Sequence, residues 1–413
     1  MSCIGLIALK RPFHKIMTGT LKPILGYLML AAGAGVIVSN LDPLGKMIEH
    51  GFHITGVVPN NEAIVAVAQK VLGVETMSIL VVGLLMNLCI ARFTKFKYVF
   101  LTGHHSLFMA CLMSAVLGTA GLSGMELILV GGFLMGAWSA ISPAIGQSYT
   151  SKVTDGDEIA IGHFGSLGYY LSAWVAKYVG KAEDSTEDIE IPEKWGFLRD
   201  STLSTALTMI VFYLIAAFAA GSEFVATLSG DMSPYLYAVM SAMNFAVGVT
   251  IVYSGVRMIL GDLIPAFQGI ATKIIPNAIP AVDCAVFFTY APTAVVLGFL
   301  SSFIGGIIGM LILGAVGGVL IIPGLVPHFF CGATAGIYGN ATGGRRGAAV
   351  GAFLNGLAIT FLPALALPVL GQLGFQNTTF GDADGIVAIA ALVLIIPNFI
   401  KTKGKVINYV EED

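Results

Sequence analysis

Charge is scarce in this chain. Asp, Glu, Lys and Arg make up 11% of its 413 residues, against roughly 25% in a soluble domain. A globule of this length would need far more polar surface to face water on all sides. The soluble-enzyme, secreted disulfide-stabilised, fibrous and disordered classes are excluded. Cysteine is also sparse: Cys3, Cys89, Cys111, Cys284 and Cys331 lie far apart with no CxxC pair. They support neither a metal nor a redox motif and read as small apolar residues inside helices. The formal net charge of −3 implies no nucleic-acid partner. No GxxxxGK[ST], GxSxG or HExxH pattern occurs. Nothing here can hydrolyse ATP or build a covalent intermediate with a triad, so no catalytic residue, cofactor or metal is assigned.

What is present is apolar. Hydrophobic residues reach 56% and the mean hydropathy is +0.87. Glycine supplies 51 residues, well above the usual share of about 7%, as in helix bundles whose backbones pack closely in lipid. The runs are continuous and do not alternate with period two, which excludes a transmembrane barrel. The expected fold class is all-α: a polytopic membrane protein of about ten or eleven spans plus re-entrant hairpins, with a possible inverted repeat.

Met1 to Leu9 is too short to cross a bilayer and ends at Lys10, Arg11, His14 and Lys15, as an interfacial stub would. Spans are expected near 21–41, 76–90, 98–118, 124–145, 203–221, 233–254, 285–304, 306–327, 348–370 and 385–400. The basic clusters Lys10–Lys22 and Arg92–Lys97 face the cytoplasm by the positive-inside rule, and the 42–75 loop faces outward. Residues 152–200 form the one hydrophilic region. There Trp174, Trp195 and Phe197 suit an amphipathic helix and loop at the cytoplasmic interface. The chain divides into an N-terminal membrane half, 1–200, and a C-terminal half, 201–413, with Lys401, Lys403 and Lys405 placing the C-terminus inside. Two segments are too broken for simple helices: 264–280, with Pro265, Pro276 and Pro280, and 323–347, with Pro323, Pro327 and a Gly-Gly-Arg-Arg turn. Such interruptions point to the discontinuous helices of a transporter.

Polar groups at membrane depth are costly, roughly 2.5–3.5 kcal/mol for a charge on insertion scales. Asp283 follows Pro280 and precedes a stretch, 284–344, without Asp, Glu, Lys or Arg. It suits a helix cap, a group accepting substrate hydroxyls, or both. Two Gly-His dipeptides, Gly103-His104 and Gly162-His163, stand in otherwise uncharged segments and point to a shared polar site, although a lone histidine is as often structural. No carboxylate stands at metal-ligand spacing beside them. His105 points about 100° away from His104 on a helix and is expected to be peripheral. Arg345 and Arg346 suit either an anionic or phosphorylated partner or a positive-inside anchor. Arg257 and Asp262 are candidates for an imperfectly spaced intramembrane ion pair.

These residues resemble a family. Leu101-Thr102-Gly103-His104, Val153-Thr154-Asp155-Gly156 through Ile161-Gly162-His163, Gly255-Val256-Arg257-Met258, Ile275-Pro276 to Val282-Asp283-Cys284-Ala285, Ala291-Pro292 to Gly298-Phe299, Ile322-Pro323-Gly324 and Gly332-Ala333-Thr334 occur in the order seen in the membrane-embedded EIIC component of the ascorbate-type sugar phosphotransferase system, in the ascorbate and galactitol superfamily. The resemblance implies a homodimeric permease of the bacterial inner membrane, with a core domain, a V-shaped dimerisation domain and an elevator-like motion. It implies EIIB and EIIA partners, with EIIB phosphorylating the ascorbate, sugar or polyol that this chain brings across the lipid bilayer. Substrate contacts would fall on His104, His163 and Asp283, with Thr102 and Gly103 nearby. Ascorbate-type members carry glutamines after both Gly-His pairs, where this chain has Phe108, Met109 and Phe164, and another where it has Ala31. The changes bear on what the pocket binds. The family's first helix also begins earlier, which implies an N-terminus that starts late. The competing reading is a secondary transporter driven by H⁺ or Na⁺, with Asp283 as its coupling group. A non-transporting receptor or structural protein fits the broken helices poorly.

Overall fold

The computed structural model describes residues 2–53, 56–59, 61–189, 201–370 and 378–395. The helices are α1 (Ser2–Ala8), α2 (Phe13–Gly51), α3 (Asn61–Phe93), α4 (Gly103–Thr119), α5 (Gly124–Thr154), α6 (Ser166–Val179), α7 (Ser201–Ala220), α8 (Ser222–Ser229), α9 (Pro234–Lys273), α10 (Pro292–Ala315), α11 (Leu325–Leu370) and α12 (Gly385–Ile395). Among the described residues, five short strands run between them: β1 (Val58–Pro59), β2 (Tyr98–Phe100), β3 (Ala160–Ile161), β4 (Ile279–Val282) and β5 (Thr378–Thr379). A 3₁₀ turn, Cys284–Thr289, follows β4.

The helices segregate into two groups that cut across the chain's midpoint. The first holds α1, α2, α7, α8 and α9. Its axis is the crossing of α2 and α9, where glycines recur seven residues apart on both helices. Gly26 meets Gly255 and Gly33 meets Gly248, and a Cβ added at Gly33 would lie 2.8 Å from the carbonyl oxygen of Gly248. In lipid, where apolar side chains gain nothing by leaving solvent, such backbone approach is what holds helices together. The second group holds α3–α6 and α10–α12, with α11 packed along both α10 and α6.

Among the described residues, six helices are long and apolar enough to span a membrane, or seven with the bent pair α7 and α8, which turns through 117°. The chain is thus an all-α polytopic membrane protein, with fewer straight spans than the apolar runs suggested. Four runs account for much of the difference. The run expected at 98–118 is a strand followed by a 17-residue helix. That expected at 285–304 divides into a 3₁₀ turn and α10. The two runs expected at 306–327 and 348–370 contribute to α10 and to one long α11, broken at Gly343 and Gly344.

The interfacial helix expected within 152–200 is instead a hairpin sunk into the second group. β3 leads inward from the end of α5, and α6 leads back out, so that Lys177 Nζ sits 3.2 Å from the Tyr149 hydroxyl near that same end. Tyr169, Tyr170 and Ala173 of α6 are buried, whereas Trp174 and Tyr178 are exposed. Trp195, Phe197 and the C-terminal lysines lie outside the described residues, as does the side chain of Asp262.

Candidate functional site

The strands explain how polar side chains reach the membrane's depth. Backbone N–H and C=O groups of an extended segment need partners there, because lipid offers none. β4 supplies them from the middle of a parallel sheet, with β2 on one side and β3 on the other. Leu101 N–H donates to the Ala281 carbonyl at 2.9 Å, and Gly162 N–H donates to the Val282 carbonyl at 2.7 Å. A Cβ at Gly162 would lie 2.5 Å from the Ala281 oxygen, so this close approach requires glycine. β1 and β5 pair in parallel as a second small sheet. Each strand delivers a polar residue just beyond its end: Asn61 after β1, Thr102 and His104 after β2, His163 after β3, Asp283 after β4, and Asp382 and Asp384 after β5.

His104, His163 and Asp283 share one wall of a cavity of about 1070 Å³ that lies between the two helix groups. Thr102 and Gly103 adjoin this wall at the start of α4 without lining the cavity. Asp283 has two roles. One oxygen accepts a hydrogen bond from Ala285 N–H at 2.9 Å and caps the 3₁₀ turn. The other, Oδ2, lies 3.3 Å from His104 Nε2 and has no hydrogen-bond partner. His163 is buried, and its Nδ1 receives the Gly165 N–H at 2.9 Å and lies 2.8 Å from the Tyr169 hydroxyl. A backbone N–H can only donate. The ring's own proton therefore sits on Nε2.

His105 is not peripheral. It is buried, lines the cavity, and packs against His163 with ring centroids 3.7 Å apart. Its Nδ1 lies 3.7 Å from Asp382 Oδ2. The Asp382 carboxylate is held by Asn61 Nδ2 at 2.7 Å and by the Cys331 thiol at 3.2 Å. Sequence reasoning missed Asp382 and Asn61. The available signal was Gly381-Asp382-Ala383-Asp384-Gly385 directly before an apolar run, the same punctuation that singles out Asp283. Asp384 is fully buried elsewhere: it takes Trp138 Nε1–H at 3.0 Å, the Ser166 hydroxyl at 2.7 Å and Leu167 N–H at 2.8 Å, fixing the start of α6.

Carboxylates do come beside the histidines, from parts of the chain that sequence spacing could not join. Ligand atoms of His104, His105 and Asp283 lie within 4.8 Å of one another, as do those of His105, His163 and Asp382. A metal-bound histidine donates through the nitrogen that does not ligate. In His163 that pattern is blocked, since Nδ1 is an acceptor and Nε2 carries the proton. The second trio therefore suits a hydroxylated solute better than an ion.

The arginines at the break of α11 face the α6 loop. Gly344 has φ +61°, and Arg345 N–H donates to the Asp184 carbonyl at 2.8 Å while its guanidinium lies 4.0 Å from the Asp184 carboxylate.

Residues 1–384 match the family model EIIC-GAT, the PTS system sugar-specific permease component. The chain belongs to this family. It is a multi-pass protein of the bacterial plasma membrane. The ascorbate-specific PTS system EIIC component of Mycoplasma pneumoniae is 27% identical to it over 83% of this chain. The chain spans 60% of the length of that curated relative.

Proposed function

We propose that this permease carries a small polyhydroxylated solute, ascorbate or a related sugar or polyol, across the membrane for phosphorylation by an EIIB partner that is itself served by EIIA. His104, His163 and Asp283 are the contacts, with Thr102 and Gly103 shaping the rim. The observation that carries this reading is a set of orphan polar atoms. Among the described residues, Thr102 Oγ1, His105 Nδ1 and Asp283 Oδ2 are buried without hydrogen-bond partners, all on or beside one wall of the cavity. Buried polar groups are almost always paired. Three unpaired ones in one place are matched by a ligand rich in hydroxyls.

The movement is of the elevator kind. The histidines and the Asp283 and Asp382 carboxylates all stand on the second helix group, whereas α2 and α7 contribute a mainly apolar face through Leu30, Ala34, Leu41, Phe212 and Ala216. Apart from Tyr27, Asp42, Lys46 and Glu49 of α2, that face gives the polar wall no side-chain hydrogen bonds to break as it slides. The chain works as a homodimer, with the exposed apolar stripe Leu236, Met240, Met243 and Val247 of α9 available to lipid or to a second copy.

Vesicle uptake with phosphoenolpyruvate, the soluble phosphotransferase proteins and a labelled sugar panel tests the coupling. Uptake is expected to require EIIB and to yield phosphorylated sugar inside. Uptake abolished by a protonophore within seconds, with phosphoenolpyruvate still abundant, overturns this reading in favour of ion coupling.

A further inference from the structure

We propose that His105 and Asp382 form a second sugar-contact pair, and that together with His104 and Asp283 they make the site selective for uncharged polyhydroxylated solutes over sugar acids. This rests on the reading of the cavity as a sugar site and narrows that reading to neutral sugars and polyols, setting aside ascorbate, which is an anion at neutral pH.

The two pairs are built alike. In each, a carboxylate at the end of a short strand faces a histidine from the first turn of α4: Asp283 Oδ2 at 3.3 Å from His104 Nε2, and Asp382 Oδ2 at 3.7 Å from His105 Nδ1. The separation in the second pair exceeds a hydrogen bond. His105 Nδ1 is unpartnered although the residue is only 5% exposed, and it lines the cavity. A solute hydroxyl, which both donates and accepts, can close that gap from either side. The first pair offers the same opportunity at Asp283 Oδ2.

Charge then decides which solutes qualify. Among the described residues, the cavity is lined by four carboxylates, Asp42, Glu49, Asp283 and Asp382, and by one ammonium, Lys46. Lys46, Asp42 and Glu49 belong to α2, so among the described lining residues the second helix group sets its two carboxylates toward the solute with no lysine or arginine of its own beside them. An ionised carboxylate accepts hydrogen bonds and offers none. A solute hydroxyl satisfies it, whereas a second carboxylate or an enolate repels it and brings no proton. Rejection by repulsion is a usual way to discriminate between solutes of one size. Where the resemblance would place amide side chains able to donate to an anion, this chain has Phe108, which lines the cavity, and Phe164, which stacks on Phe100 at 4.7 Å.

The test is equilibrium binding to the purified full-length protein in nanodiscs at neutral pH, without EIIB. The panel sets aldoses and alditols against the sugar acids of the same carbon skeletons, with ascorbate included. Uncharged members are expected to bind at least about tenfold more tightly than their anionic counterparts, like-charge juxtaposition being costly at a buried contact. Asp382→Asn, which keeps the shape and an oxygen for Asn61, is expected to weaken the neutral ligand and to narrow the neutral-to-anion ratio. Equal or tighter binding of the acids by the unaltered protein overturns the proposal, as does a panel in which nothing binds. The wild-type ratio needs no variant to fold. EIIB dependence is scored separately: selective neutral binding without EIIB-dependent uptake sinks the transport reading alone, whereas EIIB-dependent uptake of an acid in preference to neutral sugars sinks this inference alone.

Discussion

His105 lies with its ring centroid 3.7 Å from that of His163, the two planes inclined by 50°. Each ring thereby fixes the other. Gly165 and Tyr169 pin His163 from its Nδ1 side, and His105 rests against it from α4. His105→Phe keeps an aromatic ring of similar size in that slot and deletes both nitrogens. Sugar affinity is expected to fall by up to about tenfold, since a net hydrogen bond contributes about 0.5–1.5 kcal/mol and one decade is about 1.4 kcal/mol. Calorimetry on folded protein checks this, and an unchanged affinity returns His105 to a packing role.

Asp283 offers a cleaner separation of structure from binding. Its cap to Ala285 N–H needs only an oxygen acceptor, and Asn and Asp rank together as caps. Its unpaired Oδ2 beside His104 needs charge to hold a hydroxyl strongly, charge-assisted bonds being roughly twice as strong as neutral ones. Asp283→Asn should therefore leave the melting temperature near that of the parent and weaken sugar binding by about tenfold or more. Normal affinity with an unchanged melting temperature would make Asp283 a cap and nothing else.

The features legible in the sequence are those that depend on local composition. The apolar bulk, the Pro- and Gly-broken segments, and the isolated His104, His163 and Asp283 all stand out because lipid penalises polar groups and so leaves few of them in apolar segments. The hidden features depend on pairing across the chain. His105 looked peripheral because a helical wheel fixes only its angle from His104, and β3 then placed His163 on the other side of it. Asp382 meets Asn61 across 321 residues, and no spacing rule anticipates that. The 98–118 run appeared to be a span because a buried strand and a buried helix are equally apolar; length alone did not separate them.

The α2–α9 crossing makes a stability prediction. Gly33→Leu would drive a side chain into the backbone of α9, where even a Cβ would lie 2.8 Å from both the Gly248 oxygen and the Val252 nitrogen. Overpacking of this kind costs about 1–3 kcal/mol, so the purified variant should melt earlier or lose its monodisperse elution. Gly103 is the contrast: nothing lies within 4 Å of the Cβ it would gain. Gly103→Ala should fold normally, and any deficit should show in sugar uptake alone. A Gly33→Leu protein as stable as its parent would mean that the two helices do not cross through this pair.

β2, β3 and β4 are parallel, so the chain enters all three from one side of the membrane. Lys97 immediately precedes β2, its carbonyl accepting the Ile279 N–H at 2.8 Å, and Lys152 closes α5 shortly before β3. α6 returns to the same side, where Lys177 meets Tyr149. The Glu187 carboxylate beyond it caps the start of α10 through Thr293 and Ala294 N–H at 3.0 and 3.1 Å. Arg92, Lys95, Lys97, Lys152, Lys177 and Lys181 thus gather on one face, which the positive-inside rule makes cytoplasmic. A cysteine introduced as Glu183→Cys, in a background with the native cysteines replaced, should resist an impermeant maleimide in intact cells and label once the membrane is opened. Ready labelling from outside would invert the orientation.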